Sequence, residues 1–565
     1  MKKILLFTLI LALTLPLRAI EPEKVKPVKN VIVLITDGTS LATISTARWL
    51  QVYRNPEQTK LNIDPWLCGT IRTNNSDAPI GDSAPTTSCY MTGQPSRAGY
   101  VATFPPDRGE ANLCDVDPKR AYAPAATILE AGKQLKGKSA GIVITCHFPH
   151  ATPADCSAHY YNRGAYGILA DQMVHNNIDV LIGGGNNHLN AEGEAYLKSQ
   201  GYNVYRNNIK GMRSDKGTKM WSLFGPEDMD YDIDRNPEEQ PSLAEMTKTA
   251  ISKLSKNKNG FFLMVEGSKV DWAAHANDPA AVANELLAFD KACGEAFEFA
   301  KKDGNTVVIV AADHGTGGIT LGRAGMGDYS HMPLKDLMGP IANFKASADG
   351  LENMMNAQPL DSLKSIFKNY ANIELSKEEI QLLLNSKGYK NSPIPVDLRE
   401  PDKNSPLYSS YLSGVITNIL NRHSYLGWTT GGHTGEDVFL ACYNPDPMQR
   451  LMGMNTNVEV AHYIQALFGM QGKMMDFTDR IFARHADVFK NYNVEIQKSE
   501  DKKIQPTLVV KNTSNGKALT IRPFTNIIEL TEGSKTRNIQ LASVITYVDR
   551  NDMFYLPSDL DKYLK

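Results

Sequence analysis

The sequence predicts an α/β fold: a three-layer αβα sandwich around a largely parallel central sheet, with an inserted crown-like segment and a C-terminal β-rich appendage. Three observations carry that expectation. Short, continuous apolar runs recur along the chain. Amphipathic helical stretches lie between them, such as Pro279–Lys302. From about Val494 the pattern changes to short β-type runs separated by polar, glycine-bearing turns. Continuous apolar runs bounded by turn residues suit strands buried on both faces, as parallel strands are. Strands alternating with helices build a layered α/β domain.

In chain order, Val31–Thr36 is the first such run and ends at Asp37-Gly38. Gly141–Thr145, Val180–Ile182, Phe261–Val265 and Thr306–Ala311 read the same way. Ligands of open α/β sheets gather at the C-terminal strand ends. Here those ends lead into Asp37, Glu266 and Asp313-His314, and the run to Thr145 lies just upstream of Thr152. Two stretches read as insertions. Asn208–Gln240 is polar and rich in Asp, Glu and Pro, and Leu321–Gly427 holds an amphipathic helical portion near Leu360–Leu384. Leu508–Lys511, Ala518–Ile521 and Ile527–Leu530 read as strands of the appendage. The expected division is a signal peptide over 1–19, a main domain over 20–480 with insertions at about 208–240 and 321–427, and a small β-rich domain over 490–565.

The signal peptide rests on Lys2 and Lys3, an apolar stretch from Ile4 to Leu15, Pro16, and a small residue at Ala19. The apolar stretch is too short to span a bilayer as a helix. Export to the periplasm or beyond is the expectation, with no transmembrane segment after the signal is removed. Seven cysteines are compatible with that compartment, but their odd number and spacing fix no disulfide pairing. No CxxC pair occurs, which argues against a cysteine-built zinc site. The 565 residues carry a net charge of −2 and no long basic run, so no nucleic-acid partner is expected.

Chemistry concentrates at the strand ends. Asp271 and His275 are four residues apart, so a helix presents both on one face as a chelating pair. Zinc accepts such imidazole nitrogen and carboxylate oxygen donors. His433 sits in the glycine-flanked segment Gly431-Gly432-His433-Thr434-Gly435. Singly, each residue reads as a cap or a hydrogen-bonded core group. Their recurrence behind successive buried strands points to a shared site. Gly81-Asp82-Ser83-Ala84-Pro85-Thr86-Thr87-Ser88 reads as a helix start, where backbone N–H groups favour anions. Ser83 is the nucleophile candidate there. A simple cap by Asp82 or Ser83 accounts for the segment equally well.

This ordered set resembles the alkaline phosphatase family. The matching pieces are Asp37-Gly38, Asp82-Ser83-Ala84, His150-Ala151-Thr152-Pro153, Arg163, Glu266-Gly267, Asp271 through His275, Asp313-His314 and His433-Thr434-Gly435. They span about residue 28 to about residue 475. The resemblance implies hydrolysis of phosphate monoesters with Ser83 as nucleophile and Arg163 as phosphate ligand. It implies two zinc ions per chain. Asp271, His275 and His433 match the ligands of one, and Asp37, Asp313 and His314, joined by Ser83 in catalysis, match the other. Asp37, Thr152 and Glu266 match a third site, usually magnesium. His150 and Trp272 flank that site. Their pairing resembles members whose third site prefers zinc or cobalt, although Trp272 also reads as pocket wall. Family members are commonly homodimers.

Three other readings fit the sequence less well. Cys89-Tyr90-Met91-Thr92-Gly93 lacks the proline and arginine of the related sulfatase motif. Phosphodiesterase or phosphonate hydrolase relatives usually use threonine and lack the third site. A non-catalytic phosphate or metal binder needs no activated serine. His147, His159, His175, His188, His331, His423, His462 and His485 receive only surface or structural roles.

Overall fold

The computed structural model describes residues 24–327, 329–501 and 504–565. The signal peptide expected over 1–19 lies outside the described residues. The strands, in chain order, are β1 (Asn30–Thr36), β2 (Leu67–Arg72), β3 (Ser139–His147), β4 (Val180–Gly184), β5 (Asn203–Arg206), β6 (Met220–Phe224), β7 (Phe261–Gly267) and β8 (Thr306–Ala312). Then come β9 (Gly315–Thr316), β10 (Thr320–Leu321), β11 (Leu426–Gly427), β12 (His433–Thr434), β13 (Val438–Tyr443) and β14 (Gly453–Thr456). Ten of these form one sheet in the order β14-β2-β13-β8-β1-β7-β3-β4-β6-β5. From β8 to β5 every neighbouring pair is parallel; β13 is antiparallel to both β8 and β2.

Burial explains the strand pattern. Every residue of β1, β7 and β8 is buried. Helices cover both faces, so these strands have no solvent side and their sequences do not alternate. On one face the helices Leu243–Leu254, Ala281–Asp303 and Leu41–Arg54 pack together. On the other lie Ser83–Thr92, Ile128–Lys136 and Asn457–Leu467. The result is the αβα sandwich the sequence predicts.

One expectation is corrected. Asn208–Gln240 is not wholly an insertion, because Met220–Phe224 is a fully buried strand of the central sheet between β4 and β5. Its five residues include a serine and are flanked by polar turns, so the local composition hides them. The second excursion opens at β10 and closes at β11, which pair antiparallel. Among the described residues, five helices of eight residues or more lie between them, including Leu363–Ala371 and Lys377–Asn385.

Near the C-terminus, Asn493–Gln497, Thr507–Lys511, Ala518–Ile521, Ile527–Glu532 and Lys535–Gln540 form a consecutive antiparallel meander. Thr507–Lys511 and Ile527–Glu532 alternate buried and more exposed residues, as one-sided sheets do. Leu508, Val510, Leu519 and Ile521 form a second apolar cluster with Phe489 and Phe554. All seven cysteines are free thiols.

Gly260 immediately precedes β7, the strand that carries Glu266. Its φ is +86°, and a Cβ there would overlap the Lys29 carbonyl oxygen. Gly260→Ala should therefore lose about 1–3 kcal/mol of stability. A lowered midpoint in thermal and urea denaturation is the expected outcome; an unchanged midpoint would show that this turn relaxes freely.

Candidate metal centre and active site

Parallel register sets the acids side by side. Thr36 of β1 is level with Gly267 of β7 and with Ala312 of β8. Asp37, Glu266 and Asp313 therefore emerge together at adjacent strand ends. All three are fully buried, as is His314. Burial, then the charges of Asp313, Asp271 and Glu266, hold the Asp37 carboxyl well above the usual range. Burial likewise raises Asp313 to about 6 and Glu266 to about 8. It lowers His314 to about 4. The raised values mark a site that holds negative charge poorly without a cation.

One cluster joins Asp271, His275 and His433, whose donor atoms lie within 4.8 Å of one another. The helix Lys269–His275 carries the first two. His433 arrives on β12, which pairs with β9 immediately after His314. His275 Nδ1 is 2.7 Å from the Gly431 carbonyl, and His433 Nδ1 is 2.9 Å from the Gly81 carbonyl. A carbonyl only accepts, so both Nδ1 atoms carry a proton and both Nε2 atoms face the cluster. Those Nε2 atoms approach to 3.1 Å. The Asp271 carboxylate stands 3.3 Å from one and 4.0 Å from the other. Two imidazole nitrogens and a carboxylate converging on one point suit a cation between them. Thr316 Oγ1 donates to Asp271 Oδ1 at 2.6 Å and orients it. Gly38, at φ +63°, leaves the room Asp271 occupies, since a Cβ there would overlap its carboxylate.

Asp37, Asp313 and His314 form a second cluster of the same compactness, entirely buried. His314 Nε2 lies 3.4 Å from Asp37 Oδ1 and 3.5 Å from Asp313 Oδ2. Asp313 Oδ1 is held by the backbone N–H of Gly38 at 3.0 Å and of His314 at 2.9 Å. Ser83 Oγ stands 3.3 Å from His314 Nε2 and 3.5 Å from Asp37 Oδ2. The rings of His314 and His433 stack at 3.8 Å, so the two clusters share a wall. Ser83 opens the helix Ser83–Thr92, whose N-cap, Asp82, makes no side-chain cap. Asp82 instead accepts from the Gly99 N–H at 3.0 Å and pairs with Arg163.

The third group differs from the sequence expectation. Glu266 gathers with His150 and with Cys146, a residue the sequence reading passed over. Cys146 Sγ is 3.4 Å from Glu266 Oε2. It lies one residue beyond the run Gly141–Thr145, which in the structure continues to His147. That continuation was the available signal. Thr152 sits in the short helix Ala151–Ala154 that His150 opens. Asp37 Oδ1, Asp313 Oδ2, Glu266 Oε1, Thr152 Oγ1 and His150 Nδ1 are all buried without a hydrogen-bond partner. Buried polar atoms rarely stay unpaired. The four oxygens among them fit bound cations, while His150 Nδ1 carries the ring proton because Nε2 accepts from Arg163. Burial, with Arg163 and His147 adding to it, keeps the His150 imidazole neutral by moving its pKa well below the usual value.

Arg163 spans Asp82 and His150, with one terminal nitrogen 3.2 Å from His150 Nε2. Trp272 meets the His150 ring edge-on at 5.7 Å, and the Lys269 ammonium lies 5.4 Å from the Trp272 ring. All twelve residues expected from sequence thus border one centre. Sequence reasoning missed Cys146, Thr316 and the Asp82 contact with Arg163.

Residues 28–470 match the family model described as alkaline phosphatase. Alkaline phosphatase 3 of Bacillus subtilis is 33% identical over 450 residues, covering 77% of this chain and 87% of the relative. The repressible alkaline phosphatase of Saccharomyces cerevisiae is 28% identical over 483 residues, covering 77% and 81%. The crystal structure of the cold-active alkaline phosphatase from psychrophilic Shewanella sp. matches with a TM-score of 0.65 at 25% identity, covering 78% of this chain and 99% of that one. The Thermus thermophilus alkaline phosphatase shares the fold, with a TM-score of 0.63 at 22% identity over 79% of this chain and 92% of that one. The family match takes in every strand of the ten-stranded sheet and every side chain that converges at its centre, and on it the chain belongs to the alkaline phosphatase family of enzymes.

Proposed function

We propose that this protein hydrolyses phosphate monoesters to an alcohol and inorganic phosphate through a phosphoserine at Ser83, with zinc held by Asp271, His275 and His433 and by Asp37, Asp313 and His314. The observation that carries the reading is the convergence of the two imidazole Nε2 atoms and Asp271, with Ser83 Oγ at the edge of the adjoining cluster. Zinc in these two sites supplies Lewis acidity to the attacking and leaving oxygens of an in-line displacement.

The chain's own groups do the rest. Arg163 offers a planar fork to two phosphate oxygens. The N–H groups at the start of Ser83–Thr92 face the same anion. Ser83 Oγ forms a bond to phosphorus as the bond to the alcohol oxygen breaks, and the alcohol leaves with a proton. Water then attacks phosphorus, the Oγ–P bond breaks, Ser83 recovers a proton and phosphate departs. Glu266, Thr152 and Asp37 supply oxygen donors to a third ion, with magnesium, cobalt or zinc as candidates. The same reading takes the protein to the periplasm or cell exterior. Among the described residues no helix is long and apolar enough to cross a membrane.

Ser83→Ala should abolish phosphoenzyme formation, leaving a small residual turnover. Acid trapping with a labelled monoester, followed by peptide mapping, should put the label on Ser83. A label on Thr86, Thr87 or Ser88, or faster turnover of a diester than of a monoester, rejects the reading.

Arg163→Ala should lower kcat/KM by about 10- to 150-fold, from roughly 1.5–3 kcal/mol of charge-assisted hydrogen bonding. Phosphate inhibition should weaken in parallel. A folded variant with wild-type kinetics would assign Arg163 to Asp82 alone.

The third site mixes oxygen donors with the His150 imidazole and the Cys146 thiol. Nitrogen and sulfur favour zinc or cobalt over magnesium, which demands oxygen ligands and keeps its waters. With zinc restored to stripped enzyme, cobalt should activate wild type more than magnesium does. His150→Asp should reverse that order. Strong magnesium activation of wild type that His150→Asp does not increase would refute the donor argument.

A further inference from the structure

A second gathering of metal-type donors lies outside the centre described above. His147 ends β3, His188 closes the turn after β4, and Glu227 follows β6. β3, β4 and β6 are neighbours in the sheet and parallel, so their C-terminal ends deliver the donors to one place. One nitrogen of each imidazole and one Glu227 oxygen lie within 4.8 Å of one another. The His147 and His188 rings stack at 4.9 Å with 23° between their planes. Tyr166 meets both rings edge-on, at 4.7 and 5.6 Å, and closes one side.

One nitrogen of His147 is already committed. The residue is only 8% exposed. Its Nδ1 lies 2.8 Å from Asp228 Oδ1, and that oxygen also accepts from the His147 backbone N–H at 2.7 Å. An ionised carboxylate only accepts, so Nδ1 carries a proton and Nε2 is the nitrogen left to face a ligand. That Nε2 is buried and has no hydrogen-bond partner. A carboxylate behind one imidazole nitrogen, with the other nitrogen free, is the arrangement that outer-shell acids impose on metal-binding histidines. His188 Nε2 and Glu227 Oε2 are 2.6 Å apart, and Asn187 Nδ2 donates to Glu227 Oε1 at 3.2 Å. Hydrogen bonding alone accounts for His188 and Glu227. It leaves the buried His147 Nε2 without a partner.

We propose that His147, His188 and Glu227 form a further divalent-cation site. Two imidazoles and one carboxylate suit zinc, with a fourth position for water. On binding, the proton that His188 shares with Glu227 passes to solvent and the cation takes its place. The site ties three successive strand ends together. It stands next to the centre, because the His147 ring meets the His150 ring edge-on at 5.1 Å. The proposal does not depend on the assigned chemistry of Ser83.

The test uses full-length protein stripped of metal, reloaded with zinc and freed of excess. Zinc per chain is counted by mass spectrometry in wild type, His188→Ala and Glu227→Gln. Each variant should hold one zinc fewer than wild type. Zinc-edge anomalous diffraction from wild-type crystals should show a peak between His147, His188 and Glu227. Equal zinc content in all three proteins overturns the proposal. So does a wild-type map with no peak there, whatever the variants do.

Discussion

The organising constraint is a concentration of negative charge that the chain does not neutralise by itself. Asp37, Glu266 and Asp313 are fully buried at the ends of three adjacent strands, and Asp271 is 4% exposed beside them. Like charges this close in a poorly solvated interior repel strongly, and each has lost its hydration. The nearby cations are committed elsewhere. Arg163 pairs with Asp82, and the Lys269 ammonium donates to the Met229 carbonyl between the Tyr231 and Trp272 rings. Burial accordingly raises the carboxyl pKa values of Asp37, Glu266 and Asp313. The strand order β8-β1-β7-β3 is what makes the cluster possible, because parallel neighbours end on the same side.

Backbone carbonyls then decide what the histidines can do. His275, His433 and His314 direct Nδ1 toward the carbonyls of Gly431, Gly81 and Gly315. Each imidazole is thereby committed to present Nε2 inward. Glycine-rich connections suit this task, since they let main chain approach a ring closely. At His147 a carboxylate, Asp228, does the same work, and the Nε2 it leaves is equally available to a cation. One rule, a proton pinned on the outer nitrogen, recurs at His275, His433, His314 and His147.

Much of this was legible in sequence for a physical reason. A strand buried on both faces must be continuously apolar, so Val31–Thr36, Phe261–Val265 and Thr306–Ala311 stand out, and the acids that follow them stand out too. Asp271 and His275 were legible because helical spacing is fixed. Met220–Phe224 was not, since five residues between polar turns carry too little pattern. Cys146 escaped because a thiol inside an apolar strand reads as core. His147, His188 and Glu227 escaped because their proximity depends on the order of β3, β4 and β6, which no local pattern encodes. The choice between Ser83 and a helix cap was undecidable locally. It turns on where the Asp82 side chain points.

That last detail joins the fold to the chemistry. An aspartate at an N-cap ordinarily accepts from its own helix and adds a negative charge to the positive end of the dipole. Asp82 makes no such cap. Its oxygens go to Gly99 N–H and to Arg163. Two consequences follow. The first N–H groups of Ser83–Thr92 stay available to an incoming anion. The guanidinium, held by Asp82 on one side and facing His150 on the other, loses less rotamer freedom when that anion arrives. A single side chain turned away from its own helix thus leaves open the dipole end that holds Ser83 and preorganises the arginine beside it.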